Sequence, residues 1–257
     1  MKTFLSVLVL SCLLAGCAQN NVTEDDSLKQ YFDAAGVTGT FGMFDNGQGH
    51  FTIYNLKRFR DSAYLPAATF DIIQSLIGIQ TGVVNNDSTV VLGLSLRQAF
   101  QADRDSDRTV FKELAVRIGK DTLKKWVDSL SYGNKNITGD LFWMDNHLTI
   151  TPDEQLGLVK KLYFEQLPFF ARPQKIVRQM MLREGNSNYQ LSYKTGSGVR
   201  KDGHPFTWVI GWVEENKHLY FFVLNLDTAE TGKDLTASGL SILKDILKQQ
   251  GFFEGKK

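Results

Sequence analysis

The chain has 257 residues, of which 42% are hydrophobic and 12% aromatic, ample for one large domain or two closely packed ones. Its 29 lysines and arginines balance 28 aspartates and glutamates, with no block of like charge. Nothing there could hold a phosphate backbone, and nucleic acid is not an expected partner.

Lys2 precedes an apolar run from Phe4 to Leu14 that is too short for a permanent bilayer span and reads as a secretory signal. The run closes on Leu14, Ala15, Gly16 and Cys17, which resembles the cleavage site of bacterial lipoproteins. On that reading residues 1–16 are removed, Cys17 carries the lipid, residues 17–30 form a tether, and residues 31–257 fold. A plain signal peptide cut nearby is the alternative. The expected location is the bacterial cell envelope, on the periplasmic side or at the outer membrane, with contact to the membrane through the anchor. With Cys12 discarded and Cys17 modified, no thiol remains for a disulfide, a metal or a nucleophile.

Residues 38–45 and 50–55 alternate apolar and polar side chains around Asn46, Gly47, Gln48 and Gly49, the pattern of a hairpin. The period then changes. Val110, Leu114 and Ile118, and next Leu123, Trp126, Val127 and Leu130, are spaced as amphipathic helices, and Pro152 opens another through Leu156, Val159 and Leu162. A second hairpin, rich in β-branched and aromatic residues, is predicted over 206–214 and 219–226. A last helix over 237–250 carries Leu240, Leu243, Ile246 and Leu247 on one face and stops at Gly251. Strands at both ends and helices between predict an α+β fold: an antiparallel sheet completed by distant segments and flanked by helices, with an all-helical subdomain inserted over about 83–185. His50, His147, His204 and His218 are scattered without metal-ligand spacing, and Gly196 to Gly198 lacks the strand-to-helix context of a phosphate loop, so neither a metal nor a cofactor is expected.

Three motifs point to chemistry. Tyr64, Leu65, Pro66, Ala67, Ala68, Thr69, Phe70 and Asp71 run into an apolar stretch ending at Gly82. Ser131, Tyr132, Gly133 and Asn134 are followed by Phe142 and Trp143. Lys194, Thr195 and Gly196 precede the strand bearing Trp208 and Trp212. In this order and spacing they resemble the class D serine β-lactamases, within the penicillin-recognising serine enzymes, over nearly the whole mature chain. The resemblance implies a cleft lined by Ser106, Tyr132, Asn134, Trp143, Lys194, Thr195 and Gly196, taking a β-lactam, a peptide or a cell-wall fragment.

The nucleophile segment of that family reads Pro-Ala-Ser-Thr-Phe-Lys, and here it departs at two positions. Ala68 stands where the family has its serine, and Asp71 where it has a lysine that carries a carbamate. A methyl group cannot form an acyl-enzyme. Thr69 does not substitute, since adjacent helical residues point about 100° apart. Asp71 is either a favourable first-turn anion or a base that activates water directly. Counting back from Tyr132 places Ser106 and Arg108 on the family's Ser-x-Val motif, with Arg108 replacing the valine. Either Asp71 and Arg108 form an ion pair in the vacated pocket, or Arg108 turns to solvent. Gly239 aligns with the arginine that grips the substrate carboxylate, and no arginine follows Arg200. The expectation is a pseudoenzyme that keeps a penicillin-type cleft; the alternative is a weak or altered β-lactam hydrolase using Asp71 or Ser106 with water.

Overall fold

The computed structural model describes residues 21–102 and 105–257, with the backbone alone for residues 105–108. Val22–Glu24 (β1), a 3-10 turn over Asp26–Leu28 and Lys29–Ala34 (α1) lead into Thr38–Asp45 (β2) and His50–Tyr54 (β3). Leu56–Asp61 (α2) and a 3-10 turn over Ala67–Phe70 precede Asp71–Gln80 (α3). Val90–Val91 (β4), Leu94–Ser95 (β5), Leu96–Gln101 (α4), Asp105–Ile118 (α5) and Lys120–Ser129 (α6) follow. Pro152–Tyr163 (α7) and Ala171–Met180 (α8) lead back to Leu182–Gly185 (β6), Tyr189–Val199 (β7), Pro205–Glu215 (β8), His218–Asp227 (β9) and Thr236–Gln249 (α9).

The first and last hairpins meet as expected. β2 pairs antiparallel with β9 from Thr38–Asp227 to Asp45–Tyr220, giving a seven-stranded sheet in the order β1-β3-β2-β9-β8-β7-β6. Alternation along β8 feeds two cores, with Trp208, Ile210 and Trp212 facing the helical part and Val209 and Val213 facing α1 and α9. In the helical part, α3 is buried from Asp71 through Ile79. Ile72, Ile73, Leu76 and Ile77 there are fully enclosed, each contributing about 1.5–3 kcal/mol by the usual transfer scale. α7 starts where Pro152 predicts, closed by a capping box in which Thr151 and Glu154 each accept the other's backbone N–H.

Two expected boundaries are corrected. The tether over 17–30 extends too far: Val22, Thr23 and Glu24 pair in parallel with Phe51, Thr52 and Ile53, and Leu28 is fully buried, because an edge strand and an apolar anchor already hold this segment. The inserted region over 83–185 is not all-helical. It holds the short β4–β5 hairpin, turned at Leu92 and Gly93, both at positive φ, and β6 has begun by Leu182. Cys17 lies outside the described residues.

Candidate binding cleft

The 3-10 turn ahead of α3 is fixed from two sides. Ala67 adopts a left-handed φ of +50°, and its N–H donates to the carbonyl of Trp143 at 3.0 Å. On the other side lies β7 at Gly196, where an added Cβ would come within 2.8 Å of the Thr69 nitrogen and 3.1 Å of the Pro66 oxygen. Only glycine lets the strand approach this closely. Thus Lys194, Thr195 and Gly196 are brought against the turn as the three motifs predict, and with Trp143, Ala68 and Asp71 they line one cleft of about 710 Å³.

Ala68 is half-buried on the cleft floor. Thr69 is fully buried and points away: its hydroxyl donates to the Pro66 carbonyl at 2.7 Å and accepts from the Gln155 amide at 2.8 Å. The neighbouring hydroxyl is therefore committed to the interior, as helical geometry requires.

One turn beyond Ala68, with its N–H on the Ala68 carbonyl, stands Asp71. Its carboxylate lies 3.0 Å from the Lys194 ammonium, and the two side chains are 5% and 2% exposed. Lys194 also donates to the Phe100 carbonyl at 2.6 Å and sits 4.8 Å from the centre of the Phe100 ring. Burial of either charge alone would be very costly; together, with the carbonyl and ring as further partners, they neutralise each other. Among the described residues, Asp71 is thus ion-paired with the lysine of the third motif. The side chains of Ser106 and Arg108 lie outside the described residues.

Tyr132 and Asn134 belong to the frame rather than to the cleft wall, a correction to the expected lining. Tyr132 is buried with its ring edge-on to Phe70 at 5.5 Å, and burial pushes its phenol far above the ordinary value, so it stays protonated. Its outer side lines a separate depression of about 270 Å³ beside α7. Asn134 staples a loop: it donates to the His147 carbonyl at 2.8 Å and accepts from the N–H groups of Asn136 and Thr149. Tyr132 through its ring and Asn134 through its hydrogen bonds both serve positioning, which the motif spacing alone does not reveal.

Gly239 is buried against β8, and an added Cβ would lie 3.0 Å from the Thr207 methyl and 3.3 Å from that of Val209. The end of the cleft is finished by hydroxyls that sequence reasoning missed. Ser197 Oγ lies 2.7 Å from Thr207 Oγ1 and 2.8 Å from Thr236 Oγ1. Their alternation along β7 and β8 and the position of Thr236 at the start of α9 were the available signals. Lys112 and Lys233 also border the opening.

Residues 39–249 match the family described as the penicillin binding protein transpeptidase domain. The chain is 32% identical over 250 residues to β-lactamase OXA-19 of Pseudomonas aeruginosa, covering 91% of this chain and 92% of that protein. A class D β-lactamase structure, YbXI from Nostoc, superimposes with a TM-score of 0.80 at 30% identity, covering 88% of this chain and 99% of the other. The C-terminal domain of the Bacillus licheniformis BlaR penicillin receptor superimposes with a TM-score of 0.83 at 26% identity, over 93% and 100% of the two chains. With the three motifs gathered at one cleft and these likenesses spanning nearly its whole length, the chain belongs to the penicillin-binding transpeptidase-fold family, alongside the class D β-lactamases.

Proposed function

We propose that this protein is an envelope lipoprotein whose penicillin-type cleft binds its ligand without turning it over. The observation that carries the reading is Ala68 on the cleft floor, where covalent chemistry needs a hydroxyl. The Asp71–Lys194 pair adds to it, because the lysine charge is turned inward onto a carboxylate rather than left for a ligand anion. What remains is a binding surface. β6 pairs with β7 only as far as Ser192, so from Thr195 onward the strand runs along the cleft beside Trp143, Ser197 and Thr236. A β-lactam, a peptide or a cell-wall fragment laid along that strand is the ligand class proposed. The likeness to a penicillin-receptor domain supports binding as a use of this fold distinct from hydrolysis.

The test is incubation of the purified protein with a fluorescent penicillin, alongside hydrolysis of a chromogenic cephalosporin and calorimetric titration with benzylpenicillin and a soluble peptidoglycan fragment. We expect no covalent band, no turnover, and saturable binding of at least one titrant. A covalent adduct or sustained turnover overturns the proposal. Mass spectrometry of the mature chain tests the anchor: the expected N-terminus is Cys17 carrying a diacylglyceryl group, and an unmodified end at another residue rejects it.

A further inference from the structure

α3 begins at the cleft with Asp71 and ends at Gln80, about 15 Å away at 1.5 Å per residue. At that far end the Gln80 side chain accepts the N–H of Phe170 at 3.0 Å. Phe170, at the tip of the α7–α8 turn, is 74% exposed, among the most exposed large apolar side chains described. Around it the chain is cationic. Residues 160–178 hold Lys160, Lys161, Arg172, Lys175 and Arg178 against one carboxylate, Glu165, in a protein whose whole net charge is +1.

The register of the sheet says what lies beside this turn. The Phe164 ring sits 5.8 Å from that of Phe221. Phe221 pairs with Phe44, Phe44 with Phe51, and Phe51 with Val22. Three strand spacings, about 14 Å, therefore separate Val22 from Phe221. The segment that follows Cys17 thus joins the fold a few strand spacings from Phe164, where the α7–α8 turn begins. An exposed aromatic ringed by lysine and arginine is the chemistry that meets a bilayer interface of anionic headgroups, the ring entering the headgroup boundary and each cation adding attraction.

We propose that the α7–α8 turn, centred on Phe170 and rimmed by Lys161, Arg172 and Lys175, docks on an anionic phospholipid bilayer and leaves the cleft at the opposite end of α3 open to the aqueous side. The geometry gains its force from the reading of Cys17 as the lipidated residue, and the experiment separates the two.

The full-length protein purified from membranes is reconstituted with vesicles of phosphatidylcholine alone or mixed with phosphatidylglycerol, in which part of the acyl chains is brominated. Flotation reads attachment; quenching of a tryptophan placed by Phe170→Trp, compared with the parent chain and with Val199→Trp at the cleft rim, reads contact. The proposal expects quenching at position 170 in the phosphatidylglycerol vesicles and none at position 199. Replacing Lys161 and Lys175 by glutamine lowers partitioning of a Cys17→Ser form about fivefold for each lysine. A protein that floats with both vesicle types while position 170 stays unquenched keeps its anchor and overturns the docking surface. Quenching at 170 with attachment only to phosphatidylglycerol vesicles supports the surface and rejects the anchor. Flotation with neither rejects both.

Discussion

The Lys194 ammonium and the Asp71 carboxylate stand 3.0 Å apart, both almost wholly removed from solvent, joining β7 to the first turn of α3 across the floor of the cleft. Taking away either partner removes a buried counter-charge from the other. Asp71→Leu and Lys194→Met are each expected to cost about 3–5 kcal/mol, while the double variant recovers most of that loss. Urea unfolding of the three variants measures the coupling. Independent, additive losses would show that the pair does not act as a unit.

Returning covalent chemistry to this cleft needs two changes. Ala68→Ser alone places a hydroxyl beside a carboxylate already engaged by Lys194, and no penicillin labelling is expected. Ala68→Ser combined with Asp71→Lys is expected to give slow covalent labelling, read as a fluorescent band on a denaturing gel. Adding Gly239→Arg is not expected to help. The Cβ would already press to 3.0 Å on the Thr207 methyl, and overpacking of this kind costs about 1–3 kcal/mol, seen as a lowered unfolding midpoint.

How much of this was legible in the sequence differs from residue to residue. The hairpins, α7 behind its Pro152, and the meeting of Ala68, Trp143 and Lys194 at one cleft follow from local pattern and motif order. The pairing of Asp71 with Lys194 was not legible. Opposite charges 123 positions apart carry no periodic signal, and the motif count offered only Arg108, whose side chain lies outside the described residues. Tyr132 and Asn134 illustrate a second limit, since a motif says that residues lie near a site but not whether their polar atoms face the cleft or the frame behind it. β1 escaped notice for a third reason. Three residues in parallel pairing with a strand 29 positions later have neither turn signal nor alternation long enough to detect.

Asp227 ties stability to pH on the acid side. Burial alone would raise its carboxyl, but the charge of Arg58 at 3.1 Å and bonds from Thr38 and Arg200 outweigh it and hold the group below the ordinary value of 3.8. A carboxyl depressed in the folded state contributes stability that is present above its unfolded pKa and lost as pH falls through the folded one. Asp227→Asn is therefore expected to lower stability at pH 7, by about 1–3 kcal/mol for charged hydrogen bonds. The difference from the parent should shrink below about pH 4, where the unfolded chain takes up the proton. Thermal unfolding from neutral to acid pH checks it, and a gap unchanged across that range would be inconsistent with the assignment.

At the C-terminus, buried Glu215 accepts the N–H groups of Phe253, Gly255 and Lys256 at 2.7, 2.6 and 3.0 Å. Glu215→Ala leaves three donors to find water and is expected to cost about 2–3 kcal/mol. Limited proteolysis should then cut after residue 250 well before the rest of the fold. Cleavage at the parent rate would mean that the apolar contacts of Phe252 with Tyr220, rather than the carboxylate, fasten the tail.

The left-handed Ala67 has a consequence for anyone wishing to find what enters the cleft. Because the Trp143 carbonyl and the close approach of Gly196 both clamp that turn, the side chain at position 68 keeps a fixed aim into open space whatever it is made of. A thiol installed there by Ala68→Cys would be a stationary hook. Coupled to a photoreactive group and exposed to envelope extract, it would fasten the natural occupant at a known address, turning a position that has no reactive group into the place from which the ligand is read.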